Sequence, residues 1–220
     1  MASRRRSFAV IGLGMFGSTI ATALAAVGDD VLGIDLDEGP VRQHADKLSR
    51  AVIADARDDE ALKEAGLANY DVVVVAIGED LEANILCCMN ARLIGVSEVW
   101  AKAFSRTHHR ILSRIGVDRV IRPERDVGQH IAETLHTPFV ADYVSLGNGY
   151  HVVNLIIQKE MAGRASADLM RSGPETVRFL GLMRGTEYHD CTDTSVILDE
   201  GDRLLVLGTR ENLRRLADRL

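Results

Sequence analysis

Three glycines at GxGxxG spacing, Gly12, Gly14 and Gly17, follow the apolar run Phe8-Ala9-Val10-Ile11 and precede an alanine-rich stretch. That order reads as strand, tight turn and helix, and the chemistry it supports is phosphate binding. The first glycine permits the turn, the second lets a pyrophosphate approach the backbone, and the third lets helix and strand pack closely, with the phosphates at the helix N-terminus. Glycine spacing alone is weak evidence. Here a second strand run ends at Asp35, 18 residues after Gly17 (35 − 17), where an acidic side chain accepts hydrogen bonds from ribose hydroxyls. A carboxylate at that point also repels a 2′-phosphate, so NAD or adenosine nucleotides are favoured over NADP. The rest of the pocket is expected at the ends of the third and fourth strands, at Ala54-Asp55-Ala56 and Ala76-Ile77-Gly78, with Asp55 either a ligand contact or a helix N-cap. A glycine turn used only for packing is the alternative, and it does not account for Asp35.

Other reactive residue types carry less. His108 and His109 open a helix after Ser105 and Arg106 and read as surface or interface residues rather than catalytic or metal-binding ones. Cys87 and Cys88 are adjacent in a helix-like stretch, and three cysteines in all make neither a disulfide framework nor a CxxC knuckle, which suits a reducing cytoplasm. No GxSxG or HExxH occurs. An NAD-dependent dehydrogenase would need a proton donor and a substrate lobe beside the glycine loop, and the seven histidines supply no donor. The expectation is a protein that is not an enzyme.

The elements that must position these residues alternate. Strand runs at Phe8–Ile11, Val31–Ile34, Arg50–Ala54, Val72–Ala76, Val99–Ala101 and Val120–Ile121 interleave with helix-like stretches at Met15–Val27, Gly39–Leu48, Asp59–Ala65, Leu81–Ile94, Arg106–Ile115 and Asp126–Leu135. Such alternation predicts βαβ units around a parallel sheet, and the four consecutive valines from Val72 to Val75 predict a central strand covered on both faces. The fold class is therefore α/β, a Rossmann-like doubly wound parallel sheet, over residues 1–138.

At Thr137-Pro138 the alternation stops, and a Gly147-Asn148-Gly149 turn follows. Beyond it lie a strand run (Tyr150–Gln158), a helix candidate (Ala165–Arg171), two more strand runs (Thr176–Met183 and Arg203–Leu207) and a charged helix (Glu211–Leu220). Residues 139–220 thus predict a small α+β domain, too small for a large catalytic one.

Composition closes off other classes. With 46% hydrophobic and 26% charged residues the chain can fold around a core, and no apolar run approaches the roughly 18–20 residues that span a bilayer. The start, MASRRRSFAV, has no long apolar stretch before its first glycine, so the expectation is a protein neither secreted nor membrane-spanning. A net charge of −6 argues against a nucleic-acid partner, and the basic cluster Arg4 to Arg6 reads as a solvated tail.

Taken together, FAVIGLGMFG (8–17), VLGIDLDE (31–38), Tyr70–Leu86 with its AIGED, VWAKA (99–103), HHRILSRIGVDRVIRPERD (108–126) and EGDRLLVLG (200–208) resemble the RCK (regulator of potassium conductance) family, specifically its KtrA-type soluble subunits. The resemblance covers nearly the whole chain, and AIGED, Lys102 and GVDRVIRPERD are far more specific than the glycine loop. It implies TrkA-N and TrkA-C domains, the first binding ATP, ADP or NAD(H) and the second binding other effectors, cyclic di-AMP in many relatives. It implies a homo-oligomeric, octameric ring, cytoplasmic at the inner face of the membrane, that gates an integral-membrane potassium-transport subunit of the Ktr type. By position it places Gly12, Gly14 and Gly17, with Met15 and Phe16 between them, at the phosphates, Asp35 and Asp37 at the ribose, Asp55 on the adenine side, and Ala76 to Gly78 at the strand rim. Lys102 and Glu124 fall near the phosphates, with Glu124 a site for a cation such as Mg.

Two departures stand out. Relatives commonly carry an arginine that contacts the γ-phosphate where this chain has Met15, and cyclic di-AMP binders often carry a proline where it reads His189-Asp190-Cys191-Thr192-Asp193, which weighs against that ligand. A nucleotide-sensing subunit of another transporter, whether Trk-type, antiporter or channel, is the alternative; Trk-type subunits usually carry two such units in tandem.

Overall fold

The computed structural model describes residues 6–136, 140–168, 177–190 and 196–217. All six expected N-terminal strands form: β1 (Ser7–Ile11), β2 (Asp30–Asp35), β3 (Arg50–Ile53), β4 (Val72–Val75), β5 (Glu98–Lys102) and β6 (Arg119–Ile121). They pair in parallel in the order β3-β2-β1-β4-β5-β6. The chain leaves β1 toward β2 and β3, then returns to place β4 on the other side of β1. The rim between β1 and β4 is therefore the topological switch point, where open α/β sheets bind ligands.

The valines of β4 are all buried, as a strand covered on both faces requires. Ile11, Leu32, Ile34, Val73, Val75 and Leu112 belong to one core, and Val10, Val31 and Val74 to another. Five helices interleave with these strands, α1 (Met15–Ala26), α2 (Glu38–His44), α3 (Asp59–Glu64), α4 (Leu81–Ile94) and α5 (Arg106–Arg114), and α6 (Pro123–His136) follows β6. Local chemistry sets their ends. Asp58 accepts from the amides of Glu60 and Ala61 to start α3, Asp80 from Ala83 to start α4, and Ser105 from His108 to start α5. Gly95, at φ 96°, ends α4 in the left-handed conformation.

Two compact units result, divided at Glu124 and Arg125 rather than at residue 138. Helix α6 falls almost wholly in the second unit, so the change of unit precedes the proline that interrupts the sequence pattern. Thr137 and Pro138 themselves lie outside the described residues.

The second unit holds an antiparallel sheet in the order β10-β9-β11-β8-β7, built from β7 (Val140–Gly147), β8 (Tyr150–Ile156), β9 (Arg178–Arg184), β10 (Glu187–Asp190) and β11 (Arg203–Thr209), with α7 (Arg210–Ala217) after it. Val153, Leu155, Leu182, Leu204, Val206 and Leu216 form its core. Strands β7 and β10 are additions to the sequence reading. Both lie at sheet edges, and Val144 and Leu146 of β7 are exposed, so neither shows clean apolar alternation. Of the expected helix Ala165–Arg171 only a turn at 166–168 is described; Cys191 to Asp193, where the cyclic di-AMP argument rested, lie outside the described residues, as do Arg4 and Arg5. Arg6 is paired, at 2.9 Å from Glu98.

Candidate functional site

The glycine loop folds as its spacing predicts. Gly12 adopts φ 92°, which other residues rarely do. A Cβ on Gly17 would lie 1.8 Å from the Gly12 carbonyl oxygen, whereas one on Gly14 would meet nothing within 4 Å. Gly17 is thus a packing glycine, and Gly14 leaves open the space a phosphate needs. Helix α1 starts at this loop with no side chain capping its amides and no acidic residue in its first turn. Unsatisfied N–H groups at a helix start attract anions.

Asp35 closes the loop from the end of β2. One carboxylate oxygen accepts from the Leu13 amide at 2.6 Å and the other from the Asp37 amide at 3.0 Å. Asp37 heads α2, but its own side chain makes no cap hydrogen bond and lies outside the cleft.

A cleft of about 290 Å³ opens at the switch point. Of the expected residues it brings together Gly12, Gly14, Asp35, Ala54, Asp55, Ala56, Ala76 and Ile77. It also adds five that the sequence reading missed: Ile11, Leu36, Arg57, Asp80 and Ala83. Asp55 is not a helix N-cap, since Asp58 caps α3. Instead Asp55 accepts from Arg57 three times, at 2.9 and 3.1 Å from Nε and 2.7 Å from Nη2, and again from the Arg57 backbone amide at 2.9 Å. The Arg57 side-chain hydrogen bonds hold the Asp55 carboxyl below the usual carboxylate range. Asp80 accepts from the Ala83 amide at 2.9 Å.

Met15, Phe16, Gly17, Asp37, Gly78, Lys102 and Glu124 do not line this cleft. Met15 projects into solvent, 91% exposed. Lys102 forms a group of its own: its ammonium pairs with Glu124 at 2.5 Å, lies 5.5 Å from the centre of the Phe16 ring, and is 3.6 Å from where a Cβ on Gly78 would be. Hydrogen bonding from Lys102 lowers the Glu124 carboxyl. Glu124, the expected cation ligand, is thus occupied by Lys102, and among the described residues no three acidic, histidine or cysteine side chains are grouped to hold a metal.

Below the rim Asn84, fully buried on α4, donates through one amide nitrogen to Ile77 O at 2.6 Å and Lys102 O at 3.1 Å. A lone polar residue in the apolar run Ala83–Ile85 was the available signal for it. His108, expected at a surface or interface, is 1% exposed within this chain, its ring tilted against Phe104 with centres 5.0 Å apart. Cys87 and Cys88 are buried in α4, and burial pushes the Cys88 thiol up to about 12, far from a reactive thiolate.

With this geometry in place, the family model of the TrkA-N domain matches residues 8–123. The chain is 36% identical over 213 residues to Ktr system potassium uptake protein A of Vibrio alginolyticus, covering 97% of each chain. It belongs to the TrkA-N family, among the Ktr potassium-uptake proteins. This is the RCK family that the motifs resemble. Solved structures carry the fold likeness further: the RCK domain of GsuK superposes with a TM-score of 0.67 at 14% identity, covering 99% of this chain and 48% of that one. The GsuK channel bound to NAD gives 0.56 at 23%, covering 99% of this chain and 39% of that one. This TrkA-N chain therefore spans less than half the length of those two solved chains, and the identities there speak for the fold alone.

Proposed function

We propose that this protein is a regulatory subunit: it binds an adenine nucleotide, ATP, ADP or NAD(H), in the switch-point cleft, and occupancy changes how it engages a membrane potassium-transport subunit. The observation that carries this is the pairing of an open glycine loop with Asp35 at one cleft. Uncapped amides of α1 face the phosphates, and the carboxylate at the end of β2 stands where ribose hydroxyls would donate. The Ktr name of the relative supports the potassium-transport partner, and the NAD-bound GsuK channel shares the fold.

A regulatory role fits better than catalysis. The three carboxylates of the cleft are engaged as acceptors: Asp35 by the Leu13 and Asp37 amides, Asp55 by Arg57, and Asp80 by Ala83. Arg57 holds the Asp55 carboxyl below the usual carboxylate range, which makes it a poor proton donor, and hydride transfer to a carbonyl needs a donor. The proposed action is at the inner face of the membrane, through a symmetric ring whose shape follows the nucleotide; no helix among the described residues is long and apolar enough to cross a membrane. Titration calorimetry with ATP, ADP and NADH, followed by flux measurements in vesicles carrying a Ktr membrane subunit with and without this protein, tests the reading. Flux unaffected by the protein and by every nucleotide would exclude it.

A further inference from the structure

No large apolar side chain among the described residues is more exposed than Met15. It is the first residue of α1, directly after Gly14. Its backbone is fixed, because the carbonyl accepts from the Thr19 hydroxyl at 2.7 Å and the Ser18 hydroxyl at 3.3 Å. Its thioether therefore stands in solvent on a rigid base, beside the open space at Gly14.

Oxidation is the chemistry an exposed thioether offers, and the other described sulfur groups are shielded from it. Cys87 and Cys88 are buried, and burial pushes both thiols up, which leaves little of the thiolate that oxidants attack. Met161 is 2% exposed, Met183 is half-buried in β9, and Met89, on α4, is 43% exposed. Thioether oxidation follows access to the oxidant, so Met15 is the residue a peroxide meets first.

The product changes the head of the helix. Methionine sulfoxide is polar, and its oxygen is a hydrogen-bond acceptor on a flexible stem. No side chain caps the first amides of α1, and its first turn holds no acidic residue. A sulfoxide oxygen turned back onto those amides would act as a cap does, on the N–H groups that would otherwise meet phosphate. We propose, building on the nucleotide reading above, that Met15 is a site of reversible oxidation by peroxides and that its sulfoxide weakens phosphate binding at the glycine loop. In the step, a lone pair of the sulfur takes one peroxide oxygen, the O–O bond breaks, and the second oxygen leaves as water or alcohol. Sulfur is oxidised by two electrons as the peroxide is reduced, and a thiol-driven sulfoxide reductase reverses the change.

Hydrogen peroxide applied to the full chain without nucleotide, followed by peptide mass spectrometry, reads the site directly. Sulfoxide should appear at Met15 ahead of Met89 and well ahead of Met161; Met89 or Met161 reacting first overturns the assignment. Titration calorimetry should then find ADP bound about threefold to tenfold more weakly by the oxidised protein, the worth of one hydrogen bond. Treatment with reductases for both sulfoxide epimers should restore the affinity. Met15→Leu has no thioether at this position, so its ADP affinity should be the same before and after peroxide. An equal loss in Met15→Leu, or no loss in wild type once Met15 is fully oxidised, overturns the effect on binding. A urea midpoint no lower in the oxidised protein, read at Trp100, separates the loss from unfolding. Failure of ATP, ADP and NADH alike to bind the unoxidised protein overturns the nucleotide reading and with it the effect on binding, whereas the peptide map decides the oxidation site by itself.

Discussion

The carboxylate of Asp35 accepts a 2.6 Å hydrogen bond from the backbone amide of Leu13, so the residue expected to hold the ribose also ties down the middle of the glycine loop. Asp35→Ala should therefore cost about 1.5–3 kcal/mol of ADP binding, the value of hydrogen bonds to a charged group. It should also speed hydrogen exchange at the Leu13 amide in the free protein. Calorimetry and exchange read these separately, and unchanged ADP affinity would remove Asp35 from the ribose site.

Gly17 allows no side chain. An added Cβ meets backbone at 1.8 Å, and the carbonyl of Gly12 cannot yield without disturbing the turn. Gly17→Ala should cost at least about 3 kcal/mol, at the upper end for overpacking, whereas Gly14→Ala should leave folding nearly unchanged. Trp100, the single tryptophan, sits in β5 and reports unfolding of the first unit by fluorescence. Equal urea midpoints for the two variants would contradict the packing assignment.

Met15 bears on how the third phosphate is read. It is solvent-exposed at the head of α1, and Lys102 is already paired with Glu124 outside the cleft. ATP differs from ADP by one phosphate, and a cation aimed at it is the direct way to separate the two. Wild type should distinguish them by less than about tenfold, and Met15→Arg should raise the preference for ATP by about tenfold or more with little change for ADP. A strong wild-type preference for ATP that the substitution leaves alone would assign the third phosphate to another residue.

His108 makes the first unit sensitive to acid. Burial lowers its pKa, and neither ring nitrogen has a hydrogen-bond partner among the described residues. A histidine kept neutral in the folded state stabilises it fully above the unfolded pKa; as pH falls below about 6.5 the unfolded chain takes up the proton first and that stability is lost. The Trp100 urea midpoint should thus drop from pH 7.5 to pH 5.5, and drop less in His108→Leu. Identical pH dependence in both proteins would clear His108 of the effect.

The parallel sheet was legible because strands buried on both faces must be apolar throughout, as the Val72–Val75 run is. Strands β7 and β10 were not, because an edge strand with polar residues such as Asp142, Ser145 and Glu187 lacks the alternation that identifies it. In the cleft, Gly12, Gly14 and Asp35 could be read from spacing, since each is required by backbone geometry at a strand end. Arg57 could not: an exposed arginine after a strand is ordinary, and only its fork onto Asp55 separates it from a solvated one. Lys102 and Glu124 were expected near the phosphates from the resemblance alone; they pair with each other and do not line the cleft, an arrangement that spacing could not give.

Asn84 works as a mechanical tie. Its amide nitrogen grips the carbonyls of Ile77, in the cleft wall, and Lys102, whose ammonium holds Glu124, the last residue of the first unit. Asn84 is fully buried, so it has no water to exchange for either carbonyl. Losing the 2.6 Å bond to Ile77 would leave a buried carbonyl unsatisfied, which is costly. One buried amide thus ties the end of β4 at the cleft to the end of β5 within the first unit.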